Sequence, residues 1–147
     1  MKKSKKILMF FFTALMSFTC FTGCIKDINE PTVLTCDEEY SFLLANPVSS
    51  LPESLDEASW ICFVSKNRNK SETIESNLDY FFFAYVNTDL TFQYYAYLNS
   101  TEAGKNEQAS SITGLKSQID YWCIITSDFY EEYKSKLPEC IKQSPQE

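Results

Sequence analysis

Six cysteines, 20 carboxylates and no histidine set the chemistry open to this 147-residue chain. Without histidine, Ser-His-Asp and Cys-His catalysis fall away, as does every histidine-ligated metal site. Three glycines, at 23, 104 and 114, leave no Gly-rich phosphate loop. There is no S-x-x-K nucleophile motif and no D-x-[DN]-x-[DN]-G calcium loop. Cys20 and Cys24 are spaced C-x-x-x-C rather than C-x-x-C, with no other ligands nearby, so a redox or metal pair is the weakest reading of them. The carboxylates cluster as Asp37-Glu38-Glu39, Glu53 with Asp56-Glu57, and Glu131-Glu132. A glycosidase needs two acids facing each other across a cleft. These clusters instead fall in first helical turns and on polar faces, where capping and solvation account for them. The residues predict no catalytic group, no metal site and no cofactor.

The first two cysteines gain meaning from what precedes them. MKKSKK carries four of the twelve lysines, and Ile7–Phe18 follows as a short apolar run. That is the basic and hydrophobic order of an export leader. In FTGC, Cys24 follows Gly23 and Thr22, with Phe21 three places before it. The segment resembles the lipobox of bacterial prolipoproteins, although members usually carry Leu, Val or Ile where this chain has Phe21. The resemblance implies diacylglycerol on the Cys24 sulfur and cleavage before it. It covers about 24 residues. Two alternatives stay open: ordinary cleavage after Thr19, giving an unlipidated secreted protein, and an uncleaved anchor over the uncharged stretch Ile7–Ile25.

Removing 1–23 leaves nine basic residues against 20 acidic ones, a net charge of −11. Such a chain repels nucleic acid and anionic headgroups, so no nucleic-acid partner is expected. Membrane attachment must then rest on the Cys24 lipid, with two or three acyl chains needed for a stable hold.

Four cysteines remain, Cys36, Cys62, Cys123 and Cys140. An even number in an exported chain suggests two disulfides, for which sequence allows three pairings. Cys62 with Cys123 and Cys36 with Cys140 is the preferred one, because the first two fall mid-strand and the others at helix ends. Each bridge would contribute about 4 kcal/mol in the chain-entropy model. Buried free thiols are the alternative.

The elements that must position these groups form one small domain over 35–142, after a tether at 24–34 and before a polar tail at 143–147. TCDEEYSFLLAN opens it with a capping box, Thr35 and Glu38, and Pro47 closes that helix. A helical turn is expected at 53–58, a strand at 58–66 and another at 119–126. The polar segment NRNKSETIESN, holding the only arginine, Arg68, reads as exposed. Residues 79–99 read as a hairpin about a three-residue turn, Asn87-Thr88-Asp89, with Val86 opposite Leu90, Ala84 opposite Phe92 and Phe82 opposite Tyr94. Ser127 or Asp128 then caps a helix whose Phe129, Tyr133 and Leu137 make one apolar stripe. The fold class expected is α+β: a small antiparallel β-sheet of three to five strands, packed with an N-terminal and a C-terminal helix.

That register puts Tyr80, Phe82, Phe92 and Tyr94 on a core face. It gathers Phe81, Phe83, Tyr85, Tyr95 and Tyr97 on a second face, either covered by a helix or open as a tyrosine-rich platform. With catalytic motifs missing, the function expected is a membrane-tethered, non-enzymatic envelope module binding a protein partner or a glycan. A carboxylate-dependent glycan hydrolase of the envelope is the alternative.

Overall fold

The computed structural model describes residues 32–142 and 144. The leader, Cys20, Cys24 and the tether up to residue 31 lie outside the described residues, as does most of the polar tail. The chain divides into two units, Met1–Val33 and Leu34–Glu147. The second holds everything that follows.

Its centre is a six-stranded antiparallel sheet: β1 (Asn46–Pro47), β2 (Ser59–Ser65), β3 (Phe81–Val86), β4 (Phe92–Tyr97), β5 (Gly104–Lys105) and β6 (Ile119–Ile125), in the order β1-β6-β2-β3-β4-β5. Two short helices, α1 (Cys36–Glu39) and α2 (Ser127–Tyr133), and several 3-10 turns complete the described part. The class is thus a small, sheet-rich α+β fold, with more strands and less helix than the sequence suggests.

Both faces of the sheet are covered, which explains the composition of its central strands. Trp60, Cys62, Val64, Phe81, Phe83, Cys123 and Ile125 form one core with Cys36, Tyr40, Leu43 and Tyr130. Ile61, Phe63, Ala84, Val86, Phe92 and Trp122 form the other with Leu51 and Ile112. A strand buried on both sides needs apolar residues at every position rather than at alternate ones. In β2 the five residues Trp60–Val64 are all buried. The strands at 59–65 and 119–125 fall within a residue or so of their expected limits.

Helix starts follow the capping rules. The Thr35 side chain accepts from the Glu38 amide, and the Glu38 carboxylate accepts from the Thr35 amide at 2.9 Å. The Thr35 amide and, at 3.0 Å, the Thr35 hydroxyl both donate to this carboxylate and hold it below its usual range. The expected helix over 35–45 stops early, however, at Glu39, and continues only as a 3-10 turn at Ser41–Leu43. Thr126, not Ser127 or Asp128, caps α2, accepting from the Phe129 amide at 3.2 Å. No helical turn forms over 53–58; the nearest is a 3-10 turn at Val48–Ser50. The helix expected to carry Phe129, Tyr133 and Leu137 as one stripe ends at Tyr133, and Leu137 joins the other two in one apolar cluster from the turn that follows.

The hairpin departs most from expectation. Leu90 takes a left-handed backbone, φ 66°, and tucks its side chain into the core. The Asn87 amide donates to the Thr91 carbonyl at 2.7 Å, so the loop spans five residues rather than three. With a bulge between Tyr85 and Val86, Ala84 now faces Tyr95 rather than Phe92, three positions further along. An odd slip exchanges the faces of one strand relative to the other. Alternation could not have fixed this register, because apolar side chains are satisfied on either face.

Candidate functional site

A cleft of about 860 Å³ opens at one end of the sheet. Its floor is the start of β2 and the end of β3, where Trp60 pairs with Tyr85 across the strands and their rings meet edge to face at 5.6 Å. One wall is the connector holding Asp56 and Glu57. The other is the start of α2, with Thr126, Ser127 and Tyr130, placed there by the Thr126 cap. Burial, reinforced by Glu139, raises the Tyr130 phenol above its ordinary pKa, so it stays a neutral hydrogen-bond donor through the physiological range. Lys142, also on the rim, pairs with Glu139 at 3.0 Å.

Aromatic, hydroxyl and carboxylate groups therefore converge, but no nucleophile–base pair does. Asp56 and Glu57 are neighbours on one wall, so between themselves they cannot face each other across the cleft as acid and base. Among the described residues no group of three or more cysteines and carboxylates is arranged to hold a metal.

The five aromatics expected on one platform are divided. Phe81 and Phe83 are fully buried on the face that carries α1 and α2 residues. Tyr85, half-buried, lines the cleft. Tyr95 and Tyr97 lie on the opposite face, where both rings meet Phe82, with centroids 6.2 and 5.6 Å from it. Tyr80, expected in the core, is 37% exposed. The binding surface read from the sequence thus does not exist as one surface. Its cause is the register slip described above.

The cysteines divide as well. Cys62 and Cys123 stand directly opposite each other on β2 and β6, as expected from their mid-strand positions. Cys36 opens α1, and the Cys140 sulfur meets the Ser100 carbonyl at 3.9 Å. All four are free thiols in this structure.

Sequence reasoning missed one charged centre. Arg68, read as exposed, is only 4% exposed. Its guanidinium forks onto Asp37 and reaches Asp120 and the Ser65 carbonyl, while Tyr121 lies 5.7 Å from it, ring face on. All three guanidinium nitrogens are bonded within the fold, so this is a structural tie rather than a binding site. A lone arginine in a strongly acidic domain was the available clue. Comparison with family models, curated proteins and solved structures finds no match to this chain.

Proposed function

We propose that the chain is a lipid-anchored module of the bacterial cell envelope that binds a glycan without catalysis, using the cleft at the end of its sheet. The carrying observation is the cleft itself. Its volume of about 860 Å³ falls in the range of small-ligand sites rather than of flat protein interfaces. Its hydroxyls and carboxylates suit a polyol, and the Trp60–Tyr85 pair supplies an apolar floor. The lipobox-like FTGC supports the anchor, with the domain outside the cytoplasm.

Calorimetric titration with cell-wall and capsular saccharide fragments tests the binding. Saturable heat should appear with the native chain and weaken at least tenfold in Tyr85→Ala. No heat from any fragment removes the glycan reading. Release of reducing ends, abolished by Asp56→Asn or Glu57→Gln, would replace it with the hydrolase. The anchor is tested separately: Cys24→Ala should leave the membrane fraction and take up no labelled palmitate, whereas unchanged fractionation and labelling would remove the lipid.

A protein partner is the second reading, favoured by the half-buried strip of Phe82, Tyr95 and Tyr97. Crosslinking from intact cells that depends on Tyr95 and Tyr97 would support it.

A further inference from the structure

Cys62 and Cys123 sit at the same level of the two central strands, on the same face, inside one core. Opposed residues of an antiparallel pair have Cα atoms about 4.5 or 5.5 Å apart, and both values lie within the span of a disulfide. The other two cysteines have no such relation. Neither lies in a strand, so no register pairs them.

We propose that Cys62 and Cys123 are a cross-strand dithiol that closes as a single disulfide while the chain folds, and that Cys36 and Cys140 stay reduced. Timing follows from burial. Cys62 is 0% and Cys123 5% exposed in the finished sheet. An oxidant therefore meets them before β2 and β6 are covered, when their thiols are also free to ionise. The chemistry is thiol–disulfide exchange with a disulfide acceptor. One thiol loses its proton and attacks the acceptor, forming a mixed disulfide and releasing one acceptor thiol. The second protein thiolate then displaces the other acceptor thiol. Two electrons pass to the acceptor, which leaves as two thiols, and the protein loses two hydrogens. The bridge would join β2, part of the cleft floor, to β6, whose last two residues also line the cleft, with Trp60 lying two residues from Cys62.

The experiment is oxidative refolding of the full chain with glutathione disulfide, alkylation of remaining thiols, and digestion after glutamate. Cuts at Glu57, Glu72, Glu107 and Glu131 put Cys62 alone in residues 58–72 and Cys123 alone in 108–131. The expected product joins these two peptides, is about 2 Da lighter than their sum, and carries alkylated Cys36 and Cys140 elsewhere. Cys36→Ala/Cys140→Ala should still form the bridge, and Cys62→Ala/Cys123→Ala should form none. A link involving Cys36 or Cys140, or alkylation of both Cys62 and Cys123 after refolding, overturns the proposal. Neither result bears on whether the cleft binds a glycan.

Discussion

Arg68 holds Asp37 in a two-bond fork across 31 positions, Nε donating to Oδ1 at 2.8 Å and Nη2 to Oδ2 at 3.0 Å. Its remaining nitrogen donates to both oxygens of Asp120 at 2.9 Å. One cation thus joins the first turn of α1, the end of β2 and the start of β6. A planar guanidinium can satisfy both carboxylates at once, where an ammonium would act as a point charge.

Removing the cation should hurt more than the pair is worth, because two carboxylates would face each other unpaired. The Asp37 and Asp120 side chains keep 26% and 21% exposure, so some charge is still solvated. Arg68→Ala is therefore expected near the lower end for a broken buried pair, about 3 kcal/mol. Arg68→Lys should recover only part of it. Urea unfolding followed by tryptophan fluorescence measures both, and a loss under about 1 kcal/mol for Arg68→Ala would show the fork to be worth no more than a surface bridge.

The divided hairpin predicts two very different alanine effects from residues that alternation alone would place together. Phe83 is fully buried, and Phe83→Ala should cost about 3–5 kcal/mol. Tyr97 is only half-buried at the sheet surface, and Tyr97→Ala should cost about 1 kcal/mol. Equal losses in chemical denaturation would contradict the observed register.

Gly104 is required by a close approach rather than by its backbone angles. A Cβ there would stand 2.7 Å from Cζ of Tyr95, the residue it pairs with on β4. Gly104→Ala should push the tyrosine ring aside, open the short β4–β5 pairing and cost about 1–2 kcal/mol. Faster amide exchange confined to β4 and β5 is the expected signature. Unchanged exchange with an unchanged Tm would mean that the ring accommodates the methyl freely.

Much of the frame was legible from local chemistry. The capping box at Thr35 and Glu38, the two central strands and the apolar pair of Phe129 and Tyr133 on α2 each depend on residues a few positions apart. What sequence could not supply was set by side-chain bonds that no motif announces, some of them between distant segments. Asn77, in a polar run with no pattern, is 0% exposed because its side chain bonds the Asn69 backbone on both sides and the Thr73 carbonyl. Arg68 is buried for a similar reason, its partners lying 31 and 52 positions away. The hairpin register stayed ambiguous because covering both sheet faces removes the alternation that normally reveals it. The cleft, assembled from a connector, three strand ends and a helix start, has no motif of its own.

Alkaline pH should unfold the reduced protein through its buried thiols. Burial pushes Cys36 up to about 11, with Asp37 adding to the shift, and burial alone pushes Cys123 up to about 11, against an ordinary value of 9.0. A folded pKa above the unfolded one means the unfolded chain releases its protons first. The stability these neutral thiols contribute is therefore complete below pH 9 and falls as pH rises from 9 toward 11. Each buried thiol contributes on the order of 2 kcal/mol across that window. With a reductant present, the urea midpoint should drop steadily from pH 9 to 11, and Cys36→Ala should shallow the slope. Oxidised protein carrying the Cys62–Cys123 bridge should also show a shallower slope, since Cys123 no longer titrates. A midpoint independent of pH over this range in the reduced chain would show that the thiols ionise as freely in the fold as outside it.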